Sequence, residues 1–218
     1  MRNIQDIRAA VFDLDGTLLD STAAWEGLGE RYLMGRGITP QPGLDEQLRC
    51  MSLPEGSEYL KAQYSLPESP EEILKAILTG IEDFYINECP LKPGAMELLE
   101  RLKKRGTGLA VATAGDERLA RTALERLGVL GYFSSVLTCS EWGGKDRPDI
   151  FVKAAASAGG VPEDTAVFED SFHAVLTAKH AGFLTAAVYD PGEPQQVRLK
   201  ATADYYRKSL TEYSVLFG

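Results

Sequence analysis

Apolar positions follow two alternating rhythms along this chain. Five short, nearly continuous apolar runs, at 9–12, 108–113, 135–139, 165–168 and 184–189, read as buried strands. Between them the apolar positions fall at helical spacing. The stretch 95–105 carries Leu98, Leu99 and Leu102 on one face, and 117–127 carries Leu119, Ala120, Ala123, Leu124 and Leu127. Strand–helix alternation of this kind predicts an α/β protein, with a parallel sheet covered by helices on both faces. Ligands in such sheets bind beyond the carboxyl ends of the strands, near the point where strand order reverses. Chemistry is therefore expected where each apolar run stops.

Residues 21–90 break the rhythm. They hold no convincing strand and four helical patterns, at 21–35, 44–51, 55–63 and 70–87. The last has a complete start signal, with Ser69 as N-cap, Pro70 at the first helical position and Glu72 three after the cap. Pro90, Pro93 and Gly94 return the chain to the strand–helix pattern. The expected organisation is a core made of 1–20 and 91–218, with 21–90 inserted as a helical cap.

The 218 residues are 44% hydrophobic and 25% charged, ordinary for a globular protein with a sizeable core. No apolar run approaches the ~20 residues that span a bilayer, so no membrane association is expected. The opening Met1-Arg2-Asn3-Ile4 lacks the apolar stretch of a secretory signal, and a cytoplasmic location is expected. Cys50, Cys89 and Cys139 are widely spaced and form no CxxC pair, so they read as reduced thiols. A net charge of −9 argues against nucleic acid as a partner. Residues 21–90 hold five Lys/Arg against twelve Asp/Glu, a net of −7. A solvated acidic face accounts for most of that, yet a lid so acidic would also repel a substrate bearing several anionic groups.

The strand ends carry the candidate chemistry. After the first run comes Asp13-Leu14-Asp15-Gly16-Thr17, two carboxylates two residues apart on an extended chain that then turns at glycine. Two like charges so close suggest a divalent cation with a carboxylate nucleophile, or an acid/base couple. The second run ends in Thr113-Ala114-Gly115-Asp116. Thr113 offers a hydroxyl and the backbone N–H groups from Ala114 onward an anion site, although Asp116 could simply cap the helix. The third is followed by Gly143-Gly144-Lys145-Asp146-Arg147-Pro148-Asp149, which holds one cation beside the sheet. The fourth ends in Glu169-Asp170-Ser171. Two acidic strand ends in one sheet fit a hard cation better than they fit two helix caps.

These four segments, in this order, resemble the haloacid dehalogenase-like (HAD) superfamily over essentially the whole chain. The resemblance implies a Rossmann-like three-layer core with an inserted all-helical, C1-type cap. It makes Asp13 the nucleophile, Asp15 the acid/base, and Thr113 and Lys145 the phosphate ligands. Asp170 and Glu169 would hold Mg2+ together with Asp13 and the Asp15 carbonyl. Two departures stand out: Asp146 replaces the usual proline after the lysine, and the fourth motif lacks its frequent glycine.

The function so implied is Mg2+-dependent hydrolysis of a small phosphorylated metabolite, a sugar phosphate above all, through an aspartyl-phosphate on Asp13. The cap would close over the site to exclude water. Because Asp15 is intact, dehalogenase and phosphonatase chemistry is disfavoured. A β-phosphoglucomutase-like mutase is the alternative, but that branch carries a histidine early in its first cap helix where Trp25 stands here. A receiver-type signalling module is remote, since the third run ends without an Asp, and a silent phosphate-binding protein would not need every reactive group. Arg49 is the candidate substrate contact from the cap. Trp25 and Trp142 read as core or cleft residues, His173 and His180 as surface or packing residues. A monomer or weak dimer is expected.

Overall fold

The computed structural model describes residues 3–48 and 51–217. It divides into two compact units, one formed by Met1–Ser21 and Cys89–Gly218, the other by Thr22–Glu88.

The first unit is built on six parallel strands, β1 Ala9–Phe12, β2 Gly108–Thr113, β3 Val136–Thr138, β4 Thr165–Glu169, β5 Leu184–Val188 and β6 Tyr205–Arg207. Their order is β3-β2-β1-β4-β5-β6, with Phe12 opposite Val111 on one side and Phe168 on the other. The chain first winds outward from β1 through β2 to β3, then crosses back to β4 and winds the other way. Strand order therefore reverses between β1 and β4, which places the ends of these two strands beside the crevice where such sheets bind ligands.

Helices cover both faces, giving a Rossmann-like three-layer α/β unit. On one face Val11, Ala110, Ala112 and Val167 pack against Ile150, Phe151 and Ala154 of helix Asp149–Ser157 and Ala174 and Ala178 of helix Phe172–His180. On the other, Phe12 stacks on Phe168 at 4.5 Å, and Phe168 meets the edge of Tyr213 at 5.2 Å. All four residues of β1 are fully buried, as expected of a central parallel strand shielded on both sides. The segments flanking the insertion are paired with each other, Asp20 N–H donating to the Pro90 carbonyl at 2.9 Å and Lys92 N–H to that of Leu18 at 2.8 Å.

The second unit has five helices among its described residues, Thr22–Trp25, Leu28–Met34, Leu44–Leu48, Leu53–Tyr64 and Pro70–Asn87. Ser52 with Glu55, and Ser69 with Glu72, form reciprocal capping boxes at the starts of the two longest. Leu33, Leu44, Leu60, Ile73, Ile77 and Ile81 are buried.

Several boundaries differ from the sequence reading. The single helix expected at 21–35 is two, because Gly27 sits at φ +62°, outside the helical region. The third strand is shorter than 135–139, since the chain turns at Cys139 into the short helix Cys139–Trp142. A sixth strand, β6, was not expected. It is three residues long and half-buried, so it has no apolar run to announce it. The helix expected at 55–63 starts earlier, at Leu53, where the Ser52 cap sets its beginning.

Candidate active site

Asp13 follows β1 and prolongs its pairing, donating its N–H to the Phe168 carbonyl at 2.9 Å. The chain then doubles back, with the Leu14 carbonyl accepting from the N–H groups of Leu18 at 2.9 Å and Leu19 at 2.8 Å. Gly16 stands at φ +80°, and a Cβ there would lie 2.5 Å from Asp170 Oδ2. Both its backbone angle and its surroundings therefore exclude a side chain. The Thr17 hydroxyl donates to Asp170 Oδ1 at 3.0 Å. The glycine and threonine that follow the paired aspartates thus hold the acid at the end of β4.

Asp15 is half-buried beside the end of β2. Its Oδ2 and the Thr113 hydroxyl both lie 3.3 Å from the point where a Cβ on Gly115 would stand, which brings the two side chains together over a residue with none. Thr113 is fully buried, and its oxygen accepts the Gly115 N–H at 3.0 Å. Asp116 acts as a helix cap, accepting from Leu119 N–H at 3.0 Å.

Lys145 enters from the loop after helix Cys139–Trp142. Its buried ammonium donates to Asp13 Oδ1 and, at 2.7 Å, to Glu169 Oε1. The second Glu169 oxygen accepts the Ser171 N–H at 2.7 Å. The carboxylates of Asp13, Glu169 and Asp170 each bring an oxygen within 4.8 Å of the others. One lysine therefore faces three converging acids, and their protonation reflects the deficit. Burial, then the charges of Glu169 and Asp13, push Asp170 up to about 9. Burial likewise raises Glu169 to about 6, against the pull of Lys145. For Lys145 burial alone would favour the neutral amine, but Asp13 and Glu169 outweigh it and hold the ammonium charged. A cluster of hard oxygen donors short of positive charge suits a divalent cation of the Mg2+ kind.

A cavity of about 400 Å3 opens between these strand ends, lined by Asp13, Asp15, Thr113, Ala114, Lys145, Glu169 and Asp170. Three further residues that the sequence did not single out for chemistry line it as well: Cys139, Asp146 and His173. His173 was read as a surface or packing residue. Its place three positions after Asp170, in the first turn of a helix that begins at the site, is the signal that could have marked it. Its Nε2 lies 3.2 Å from the Gln195 side-chain amide. His180 is exposed, and Trp142 is half-buried against the core beneath the Lys145 loop. Trp25 is exposed on the helical unit. Arg49 and Cys50 lie outside the described residues; Cys89 and Cys139 are free thiols.

Comparison with known proteins gives a consistent result. A family model described as haloacid dehalogenase-like hydrolase matches residues 7–182. A phosphorylated carbohydrates phosphatase of Thermotoga maritima is 31% identical over 183 residues, covering 81% of this chain and 82% of the relative. A validoxylamine A 7'-phosphate phosphatase of Streptomyces hygroscopicus subsp. limoneus is 30% identical over 216 residues, covering 94% and 95%. Among solved structures, a Thermotoga maritima protein provisionally described as a beta-phosphoglucomutase superposes with a TM-score of 0.83 at 27% identity. The match covers 96% of this chain and 98% of that one. No helix among the described residues is long and apolar enough to cross a membrane.

Proposed function

The chain belongs to the haloacid dehalogenase-like hydrolase family, and on that premise we propose that it is a Mg2+-dependent phosphatase of a small phosphorylated metabolite, most simply a sugar phosphate. The observation that carries the reading is the convergence of Asp13, Lys145, Glu169 and Asp170 on one point at the strand-order reversal, with Thr113 and Asp15 on the same cavity.

An Asp13 oxygen attacks phosphorus as the bond to the leaving oxygen breaks, giving an aspartyl-phosphate. Splitting one displacement into two lowers each barrier. Asp15 supplies the proton that the leaving oxygen takes up. It then removes a proton from the water that attacks the same phosphorus, which frees inorganic phosphate and restores the Asp13 carboxylate. The Thr113 hydroxyl, the N–H groups from Ala114 onward and the Lys145 ammonium bind the non-bridging oxygens as charge redistributes. The Lys145 ammonium, held by Asp13 and Glu169, stands where it can also bind an incoming phosphate. Mg2+ would be held by Asp13, Asp170 and the Asp15 carbonyl, with Glu169 behind them, and would supply the positive charge that lets a carboxylate approach an anionic ester. The helical unit is proposed to act as the cap, with Arg49 as its substrate contact.

Support for a sugar phosphate comes from the name of the Thermotoga relative and from the acidic character of 21–90. A phosphosugar mutase is the second reading, favoured by a beta-phosphoglucomutase of Mycobacterium bovis that is 26% identical over 214 residues. Trp25, in place of the histidine of that branch, favours hydrolysis. The test is a screen of phosphorylated metabolites with Mg2+, including β-glucose 1-phosphate with and without its bisphosphate activator. Release of inorganic phosphate from monophosphorylated sugars is expected. Accumulation of glucose 6-phosphate would establish the mutase instead, and fastest turnover of polyphosphates would overturn the substrate class.

A further inference from the structure

His173 lies in the first turn of helix Phe172–His180, and its otherwise exposed side chain forms part of the cavity wall. The loop after β5 fixes it from the other side. Glu193 accepts the Phe172 N–H at 2.8 Å with one carboxylate oxygen and the Gln195 N–H with the other, which clamps loop and helix together beside the imidazole. The Phe172 ring meets the His173 ring edge to face at 5.2 Å, and the Arg198 guanidinium lies 4.2 Å over the Phe172 ring.

The same network decides where the imidazole proton sits. Arg198 Nη1 donates to Gln195 Oε1 at 2.6 Å. A guanidinium has no acceptor, so the amide oxygen must face it and the amide nitrogen must face His173. That nitrogen lies 3.2 Å from His173 Nε2 and has only hydrogens to offer. Nε2 is therefore the acceptor, and the ring is neutral with its proton on Nδ1. With Nε2 taken, Nδ1–H is the donor that the ring has left.

The cavity has a use for such a donor. Asp13, Asp15, Asp146, Glu169 and Asp170 all line it, whereas the donors Thr113 and Lys145 are assigned to the phosphate. A leaving group rich in hydroxyls can give hydrogens to acids, but its own oxygens then need a donor. An uncharged N–H suits a hydroxyl oxygen; a cation in its place would favour a second anionic group instead.

We propose that His173 is a specificity-determining residue, its Nδ1–H donating to a hydroxyl oxygen of the substrate's leaving group. The effect on turnover rests on the phosphatase reading; the tautomer does not.

The test compares the parent with His173→Leu, which removes the donor, and His173→Asn, which returns an amide N–H near the place of Nδ1. The readout is kcat/KM, with Mg2+, for the best monophosphorylated sugar of the metabolite screen, glucose 6-phosphate being assayed first. It is taken as a ratio to kcat/KM for p-nitrophenyl phosphate, whose leaving group offers no further hydroxyl. Loss of one neutral hydrogen bond is expected to lower that ratio about three- to tenfold in His173→Leu, and His173→Asn should largely restore it. An unchanged ratio in His173→Leu, or equal reductions in the two variants, would overturn the proposal. Heteronuclear NMR of the imidazole nitrogens in mildly alkaline solution reads the tautomer without any turnover. A proton on Nδ1 is expected in the parent, and one on Nε2 would overturn the proposal. A parent that hydrolyses p-nitrophenyl phosphate but no sugar phosphate would also overturn it, with the phosphatase reading intact. Should the parent hydrolyse no phosphomonoester at all, that failure belongs to the proposed function, and the imidazole spectrum decides whether His173 holds its donor ready.

Discussion

Thr17 Oγ1 donates a hydrogen bond to Asp170 Oδ1 at 3.0 Å, joining the turn after β1 to the acid after β4. Thr17 is fully buried, so no water stands ready to replace that donor. Thr17→Val keeps the shape of the side chain and removes only the hydroxyl. The expected result is a folded protein that needs several-fold more Mg2+ for half-maximal activity. A magnesium titration of initial rates checks it, and an unchanged requirement would separate Thr17 from the site.

Gly16 tests the same junction by sterics. Any side chain there meets Asp170 Oδ2 from a left-handed backbone conformation. Gly16→Ala is expected to cost about 1–3 kcal/mol of stability and to depress activity more than Thr17→Val does. Denaturant unfolding and kcat measured on the same preparations check both expectations.

Asp204 supplies a pH-dependent term far from the cavity. Its Oδ2 accepts from the Thr185 N–H and hydroxyl, both at 2.9 Å, and its Oδ1 from Lys179 at 3.0 Å. Burial alone would raise its pKa, but these donors outweigh burial and lower it. The folded carboxyl therefore titrates below its unfolded value of about 3.9. Its stabilisation is fully present above that value and is lost as pH falls through the lower folded pKa. Asp204→Asn should cost about 1–2 kcal/mol at pH 7, and the gap from the parent should shrink below about pH 4. Thermal midpoints across that range give the answer; a gap that widens in acid would contradict it.

Tyr213 is fully buried, and its hydroxyl donates to the Ala187 carbonyl at 2.8 Å while its ring packs on Phe168. Tyr213→Phe keeps the ring and leaves a buried carbonyl with one partner fewer. A loss of about 1 kcal/mol is expected in urea unfolding, with kcat unchanged because the residue lies off the cavity.

How much of this was legible in the sequence follows from what each feature depends on. The bounds of β1 and β2 agree with the apolar runs at 9–12 and 108–113, because a strand buried on both faces is written as an unbroken run. The helix Pro70–Asn87 was readable from its cap for a similar reason, since every part of that signal is local. β6 was not, because Tyr205-Tyr206-Arg207 gains its burial only by pairing with β5. Nor was the break at Gly27, where one glycine in a helical pattern left the outcome open. In the cavity the acids, Thr113 and Lys145 could be named from their motifs. The bond from Thr17 to Asp170 could not, because it joins residues 153 positions apart that only the strand order makes neighbours. His173 is exposed, as a surface residue should be, yet it also lines the cavity, a place it owes to the helix that begins beside Asp170.

The central claim is that the Asp13 carboxylate takes the phosphoryl group. Rapid acid quenching during turnover with Mg2+, followed by mass analysis of the peptide bearing Asp13, measures that directly. One phosphoryl group on Asp13 is predicted, absent from a folded Asp13→Asn protein whose turnover has dropped by orders of magnitude. A phosphoryl group on another residue, or near-parental turnover in Asp13→Asn, would contradict the account.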